Sequence, residues 1–178
     1  MAKRIVFIGA GPGGYVGAIR AAKMGADVTV IEKDAVGGTC LNRGCIPTKA
    51  LLACSDVLNA IGEAKNFGIN VEGDITPDIV AMMERKDKIV ERLVKGIEVL
   101  FQKNNVKYLQ GIGKISKENE VTVAKIDGTT EILEADAIVI ATGSSPAQIP
   151  IFPYDGKRVL TSDEALNLRE IPKSMIIV

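Results

Sequence analysis

The stretch Arg4-Ile5-Val6-Phe7-Ile8-Gly9-Ala10-Gly11-Pro12-Gly13-Gly14 decides the fold of this chain. Its apolar half predicts a strand buried on both faces, because it shows no alternation of polar and apolar residues. Its glycine-rich half matches the pattern G-x-G-x-x-G and leads into a predicted helix over residues 12–24. Residues Asp27 to Ile31 predict a second buried strand, which ends at Glu32. This order of strand, glycine turn, helix, strand and acidic residue predicts a βαβ unit that binds a dinucleotide.

Each glycine of the motif has a physical task. Gly9 permits a tight turn, Gly11 lets the backbone approach a pyrophosphate, and Gly14 lets the helix pack close to the sheet. The start of the helix faces the phosphates with free N–H groups. Glu32 is expected to accept hydrogen bonds from ribose hydroxyls, and its charge disfavours a 2′-phosphate. The motif alone does not distinguish an NAD site from an FAD site. The alternative to a dinucleotide site is a glycine-rich turn in an unrelated α/β protein.

Further along the chain, helical and strand patterns alternate. Residues 137–141 predict another buried parallel strand, and the apolar residues 175–178 read as the start of one more. The remaining predicted elements are a helix beginning at Pro47, a helix from Thr76-Pro77 to about Asn104, a strand over 106–109, an antiparallel meander over 113–116, 120–125 and 130–133, and a short helix over 162–168. The fold class predicted is α/β, a Rossmann-like three-layer FAD/NAD(P)-binding fold with a parallel sheet, helices and an antiparallel β-meander.

Two helices carry predicted core-facing stripes. The helix over 12–24 presents Val16, Ile19 and Ala22 on one face. The long helix presents an apolar stripe that Lys86 interrupts, made of Ile79, Met83, Val90, Leu93, Ile97 and Leu100. An ordinary core-facing stripe is favoured over a coiled-coil dimer.

Charge and hydropathy exclude several function classes. The chain has 22 Lys+Arg and 22 Asp+Glu residues, so it has no general basic field for nucleic acid or for an anionic membrane. No apolar run reaches the roughly 18–20 residues of a membrane span. A signal peptide is disfavoured because glycines interrupt the first apolar run. We expect a soluble, cytoplasmic protein.

Cys40 and Cys45 are separated by four residues, and a third cysteine is Cys54. The chain contains no histidine, which disfavours a zinc site. A reversible disulfide fits better. Cys45 lies just before Pro47, near a predicted helix start whose dipole favours a thiolate, and Lys49 adds a positive charge one turn later. A solvated lysine is the alternative for Lys49, and Cys54 is expected to be buried and inert.

The segment Val36-Gly37-Gly38-Thr39-Cys40-Leu41-Asn42-Arg43-Gly44-Cys45-Ile46-Pro47-Thr48-Lys49 closely resembles the redox-disulfide segment of the pyridine nucleotide-disulfide oxidoreductases. Its Cys-Leu-Asn-x-Gly-Cys-Ile-Pro form is most similar to the dihydrolipoamide dehydrogenase group. Glutathione and mercuric reductases typically carry valines at the positions of Leu41 and Ile46. The resemblance covers the whole chain, including the Ala141-Thr142-Gly143 turn, Ser162 to Leu166 and Pro172-Lys173-Ser174.

The resemblance implies a cofactor and a set of roles. The cofactor is FAD, with NAD as co-substrate of the full-length protein. Cys45 is implied to be the thiol that faces the flavin, Cys40 the thiol that exchanges with substrate, and Lys49 a catalytic residue near the flavin. The implied cofactor-binding residues are Gly9, Gly11, Pro12, Gly13, Gly14, Glu32, Lys33, Gly37, Gly38, Thr39, Cys40, Lys49, Gly113, Ala141, Thr142, Gly143 and Ser144.

The resemblance also implies a domain division and partners. Residues 1–147 correspond to an incomplete first segment of an FAD-binding domain, 148–170 to a linker, and 171–178 to the first strand of a truncated NAD-binding domain. The full-length protein is expected to be a homodimer acting on lipoyl groups of 2-oxo acid dehydrogenase or glycine cleavage complexes. The family's catalytic histidine has no counterpart here, so we expect a fragment that is inactive alone.

Two alternatives remain open. One is a reductase of the same family that acts on another disulfide or on mercuric ion. The other is a non-catalytic nucleotide-binding or thiol-sensing module.

Overall fold

The computed structural model describes all residues from Met1 to Val178. It divides into two compact units: the first comprises residues 1–42 and 92–145, and the second comprises residues 43–91 and 146–178. The elements in chain order are β1 (Arg4–Ile8), α1 (Pro12–Lys23), β2 (Asp27–Glu32), α2 (Gly38–Arg43), α3 (Cys45–Glu63), a 3₁₀ turn (Ala64–Phe67), α4 (Ile79–Lys103), β3 (Lys107–Lys117), β4 (Glu120–Lys125), β5 (Thr130–Glu134), β6 (Ala137–Ile140) and α5 (Ser162–Ala165).

The first unit is built on a six-stranded sheet in the order β5-β4-β3-β2-β1-β6. β1 pairs in parallel with β2 and β6, and β2 pairs in parallel with β3. β3, β4 and β5 form the predicted antiparallel meander. The predicted mixed α/β fold class is therefore confirmed.

Two strands predicted separately, over 106–109 and 113–116, are one strand in the structure. β3 runs from Lys107 to Lys117 and continues through Gly111. Up to Gln110 the strand pairs in parallel with β2, and from Gly111 it pairs antiparallel with β4. A Cβ at Gly111 would lie 2.5 Å from the carbonyl oxygen of Ala124, so glycine permits the close approach at this change of partner.

The sheet of the first unit is buried on both faces, with Val28 and Val30 on one face and a cluster around Ile31 on the other. Val121 and Val123 of the meander are fully buried there with Ile31. The rest of the cluster is made of Val6, Ile8 and Ala135, with Leu109, Leu133 and Ile138 packed against it.

The buried face of α1 differs from the predicted one. Gly14 and Ala18 are buried, whereas Val16 is 55% exposed. Small residues bring the helix close to the sheet, since a Cβ at Gly17 would lie 2.9 Å from the Phe7 ring. The prediction was wrong because apolar periodicity is judged from large side chains, whereas the buried residues here are small.

The helices of the second unit begin at positions other than those predicted. α3 starts at Cys45, two residues before Pro47, and Pro47 is buried in its first turn, where its missing N–H costs no helical bond. The cap of α4 is Asp78 rather than Thr76, because Asp78 Oδ1 accepts the amide of Ala81 at 3.0 Å. The helix predicted over 162–168 is shorter and ends at Ala165.

The stripe predicted on α4 is partly wrong. Met83 and Ile97 are buried as expected, but Leu93 and Leu100 are exposed. Lys86, the predicted polar interruption, is buried with 4% of its surface exposed. Phe101 is buried in the first unit, where its ring centroid lies 6.2 Å from that of Tyr108.

Residues 175–178 form no strand in this structure and are largely exposed. A buried parallel strand needs a neighbour on at least one side, and these residues pair with none. No helix of the chain combines the length and the apolar character needed to cross a membrane.

Candidate functional site

The loop between β1 and α1 is shaped by two close backbone contacts. Gly9 has φ +109°, and its amide donates to the carbonyl oxygen of Ile31 at 2.7 Å. A Cβ at Gly9 would overlap the carbonyl oxygen of Ala141, and a Cβ at Gly14 would overlap that of Gly9. The expected tight turn and close helix packing are therefore both present, and only glycine fits either position.

The first turn of α1 presents backbone donors. The amides of Gly14 and Tyr15 both donate to the carbonyl oxygen of Gly11 at 2.9 Å. The amides of Gly11 and Gly13 donate to no backbone acceptor. Such donors at a helix start, together with the positive end of its dipole, suit a phosphate.

Glu32 is buried at the end of β2 and held by two backbone amides. Its Oε2 accepts from Ala10 at 2.8 Å, and its Oε1 accepts from Asp34 at 2.9 Å. Each carboxylate oxygen keeps a further lone pair for a hydroxyl donor. Burial raises the pKa of the Tyr108 phenol, and the negative charge of Glu32 contributes to that rise.

The loop after β2 lies against the glycine loop. The amide of Gly37 donates to the carbonyl oxygen of Ala10 at 2.8 Å, and a Cβ at Gly38 would lie 2.7 Å from Gly11 Cα. The side-chain amide of Asn42 donates to the carbonyl oxygens of Val36 and Gly38, both at 3.0 Å. Sequence analysis missed Asn42, although an amide residue four positions after Gly38 is a typical signal of such a bond.

The turn after β6 closes the other side of the loop. The amide of Ala141 donates to the carbonyl oxygen of Ile8 at 2.8 Å, and this places Ala141 against Gly9. Thr142, Gly143 and Ser144 are exposed. The first unit thus brings together the glycine loop, Glu32, Gly37, Gly38 and Ala141.

Three further residues predicted to bind the cofactor make none of the contacts described above. Thr39 is exposed on α2. Lys33 is exposed in a cleft of about 450 Å³ that Asp34, Gly111, Ile112, Ala124, Lys125 and Ile126 also line. Gly113 faces the side chains of Ile8 and Ile31, so packing accounts for the glycine there.

The two motif cysteines lie on consecutive helices. Cys40 is half-buried in α2. Cys45 is exposed as the first residue of α3, after a Gly44 cap that offers no side chain to the helix amides. Lys49 follows one turn later and is exposed. The expected position of Cys45 at a helix start is confirmed.

Cys54 is half-buried rather than fully buried. Its thiol donates to the carbonyl oxygen of Ala50 at 3.4 Å. Arg85 Nη1 donates to the same oxygen at 3.1 Å and lies 4.0 Å from the Cys54 sulfur. These groups border an open, mainly apolar cleft of about 410 Å³ between α3 and the start of α4.

Comparison with known proteins assigns the family. The model of the pyridine nucleotide-disulphide oxidoreductase family matches residues 3–178. The chain belongs to this family. Dihydrolipoyl dehydrogenase of Bacillus subtilis is 43% identical over 175 residues, which are 98% of this chain and 38% of that protein. Mitochondrial dihydrolipoyl dehydrogenase 1 of Arabidopsis thaliana is 46% identical over 179 residues, 98% of this chain and 34% of that protein.

A solved structure agrees with the fold. The crystal structure of LpdA from Mycobacterium tuberculosis matches with a TM-score of 0.86 at 26% identity, covering 96% of this chain and 38% of that one. The chain therefore spans little more than a third of the length of these relatives.

Proposed function

We propose that this chain is the FAD-binding and disulfide-bearing part of a dihydrolipoyl dehydrogenase. The full-length protein oxidises dihydrolipoamide to lipoamide and passes the electrons through Cys40, Cys45 and FAD to NAD. The observation that carries the proposal is the order of the two features along the chain. A cysteine pair whose second member starts a helix comes after the βαβ unit that carries the dinucleotide loop, in a chain of this family.

The residues of the first unit fit the ADP half of FAD. The unbonded amides of Gly11 and Gly13 suit its pyrophosphate, and the Glu32 carboxylate suits the ribose hydroxyls. The contact of Gly38 with Gly11 leaves no side chain in the path of the phosphates. The resemblance to the family assigns Lys33, Thr39, Gly113 and Thr142 to Ser144 to the same site.

The cysteines would carry the thiol chemistry. One thiolate of dihydrolipoamide attacks the Cys40 sulfur of the Cys40–Cys45 disulfide, which forms a mixed disulfide and releases the Cys45 thiolate. The second substrate thiol then attacks the substrate's own sulfur, so lipoamide leaves and Cys40 is released as a thiol. Two electrons now reside on the cysteine pair, and two protons have left the substrate.

Cys45 and Lys49 would keep the reduced pair reactive. Cys45 lies at the start of α3, whose first amides have no capping side chain, and the ammonium of Lys49 follows one turn later. FAD, when bound, supplies the two-electron acceptor that returns the pair to a disulfide and reduces NAD.

An absorption spectrum tests the proposal. The chain reconstituted with FAD should show a protein-bound flavin band at about 450 nm. Reduction with dihydrolipoamide should add a long-wavelength band that arises from a thiolate beside the flavin. Cys45→Ser should remove that band, whereas Cys54→Ser should leave it. A long-wavelength band that persists in Cys45→Ser would contradict the role of Cys45, and a chain that binds NAD but no FAD would favour a sensor module.

The 178-residue chain should not turn over by itself. It contains no histidine, and the family's catalytic histidine belongs to the dimerisation domain of the partner subunit. A steady rate of NADH formation from dihydrolipoamide by the pure chain would contradict this. The homodimer, the lipoyl-bearing complexes as partners and the cytoplasmic compartment stay predictions for the full-length protein.

A further inference from the structure

Lys86 is a buried cation of the second unit that the proposed reaction does not use. Its Nζ donates to the carbonyl oxygen of Leu166 at 2.9 Å and to Asn167 Oδ1 at 3.2 Å, and it pairs with Asp87 Oδ1 at 2.8 Å. A buried ammonium is stable only when its donors are satisfied. These bonds therefore fix residues 166 and 167 against α4.

The turn that Lys86 fixes is internally rigid. Thr161 and Glu164 form a capping box around α5, in which Glu164 Oε2 accepts the Thr161 amide at 2.8 Å. The Tyr154 hydroxyl donates to Glu164 Oε1 at 2.7 Å. Asn167 also donates from Nδ2 to the carbonyl oxygen of Asp163 at 2.8 Å. A shift of Asn167 would therefore also shift Asp163.

Asp163 connects this turn to the redox segment. Its Oδ2 lies 3.8 Å from Nη1 of Arg43, and Arg43 immediately precedes the Gly44 cap and Cys45. Gly44 provides no capping side chain, so the first turn of α3 depends on its neighbours for order.

We propose that Lys86 is a positioning residue for Cys45, acting through Asn167, Asp163 and Arg43. The chain of contacts holds Gly44 and Cys45 so that the first amides of α3 stay aligned with the Cys45 sulfur. The value of this alignment rests on the proposed function, which gives Cys45 its reaction. The contacts themselves do not depend on bound flavin.

The test is the rate of iodoacetamide alkylation at Cys45 in the reduced full chain at neutral pH. Trypsin cleavage after Lys33, Arg43 and Lys49 places the three cysteines on separate peptides, so mass spectrometry gives a rate for each. The proteins compared are wild type, Lys86→Met, Asp163→Asn, the double variant, and Lys88→Met as the matched control on the exposed side of α4. Cys54 serves as the internal reference.

Lys86→Met and Asp163→Asn should each slow the alkylation of Cys45 by about two- to five-fold, which is the range of effects that a helix dipole produces. The double variant should be no slower than Lys86→Met, because both changes break one chain of contacts. Lys88→Met should match wild type. If Asp163 acted only through its negative charge, its loss would speed alkylation of Cys45. If the variants only loosened the fold, alkylation of Cys54 would also become faster. A slowing at Cys45 alone is therefore specific to positioning.

Three results would overturn the proposal: an unchanged Cys45 rate in folded Lys86→Met, independent effects that multiply in the double variant, or an unchanged or faster rate in Asp163→Asn. If Lys86→Met does not fold, Asp163→Asn, an isosteric change at a half-buried site, decides by itself. Asp163→Glu, which keeps the carboxylate, should restore part of the rate. A chain that binds no FAD would contradict the proposed function, whereas the alkylation rate of Cys45 would still test the role of Lys86.

Discussion

The glycine loop of the first unit and the redox helix of the second unit are held in place by different means. Around Gly9 and Gly14 the structure depends on side chains being absent, and backbone amides make the contacts. Around Cys45 it depends on charged side chains far apart in the sequence, among them Lys86 and Asp163. The nucleotide loop is thus encoded within a few consecutive residues, whereas the support of the redox helix is encoded across more than a hundred.

The largest expected effect is at Gly14. Gly14→Val should cost roughly 3 kcal/mol or more of unfolding free energy, because its side chain would overlap the carbonyl of Gly9, which is backbone and cannot rotate away. Gly96→Ala is the control, since nothing lies within 4 Å of a Cβ at that exposed site in α4. It should stabilise the chain by about 1 kcal/mol. Urea unfolding measures both, and equal effects would contradict the account of the loop.

The parts of the fold that depend on consecutive residues could be predicted from the sequence, and the parts that depend on distant residues could not. β1, β2 and the glycine loop follow from local pattern, because a short, mainly apolar run and G-x-G-x-x-G each specify one backbone path. The face of α1 was wrong because Gly14 and Ala18 carry little apolar weight in a periodicity. The local pattern does not predict burial of Lys86, because its partners Leu166 and Asn167 lie about eighty positions away in the sequence.

A smaller effect is expected at Lys86. Lys86→Met should cost roughly 2 kcal/mol, because it leaves the Leu166 carbonyl and the Asn167 side chain without their donor. Lys88→Met, the same chemical change at an exposed position, should stay within about 0.5 kcal/mol of wild type. Urea unfolding checks the pair. A Lys86→Met chain as stable as wild type would show that the buried ammonium does not hold the second unit.

The smallest expected effects are in acid. Lys107 and Lys125 lower the pKa of Glu131 in the first unit to about 2, and the amides of residues 157–159 lower that of Asp155 in the second unit to about 2. Both values lie below the ordinary ones, 4.5 and 3.8, so each carboxylate stabilises the fold above its ordinary value. That stability is lost as the pH falls through about 2.

Salt distinguishes the two carboxylates. The partners of Glu131 are the side-chain charges of Lys107 and Lys125, which solvent reaches, so about 0.5 M NaCl should shrink the stability difference between wild type and Glu131→Gln. The partners of Asp155 are backbone amides at 2.8–2.9 Å, so the difference for Asp155→Asn should persist. Urea midpoints between about pH 5 and 2, with and without salt, give the comparison. Equal salt sensitivity would show that the two sites are not held by different means.

The most direct test of the central claim is an anaerobic reductive titration of the FAD-reconstituted chain. A cysteine disulfide and a flavin each accept two electrons, so the wild-type chain should take up about four electrons per flavin, and Cys45→Ser about two. A wild-type value of about two with flavin bound would show that Cys40 and Cys45 form no redox pair, and a chain that binds no FAD would contradict the nucleotide site itself.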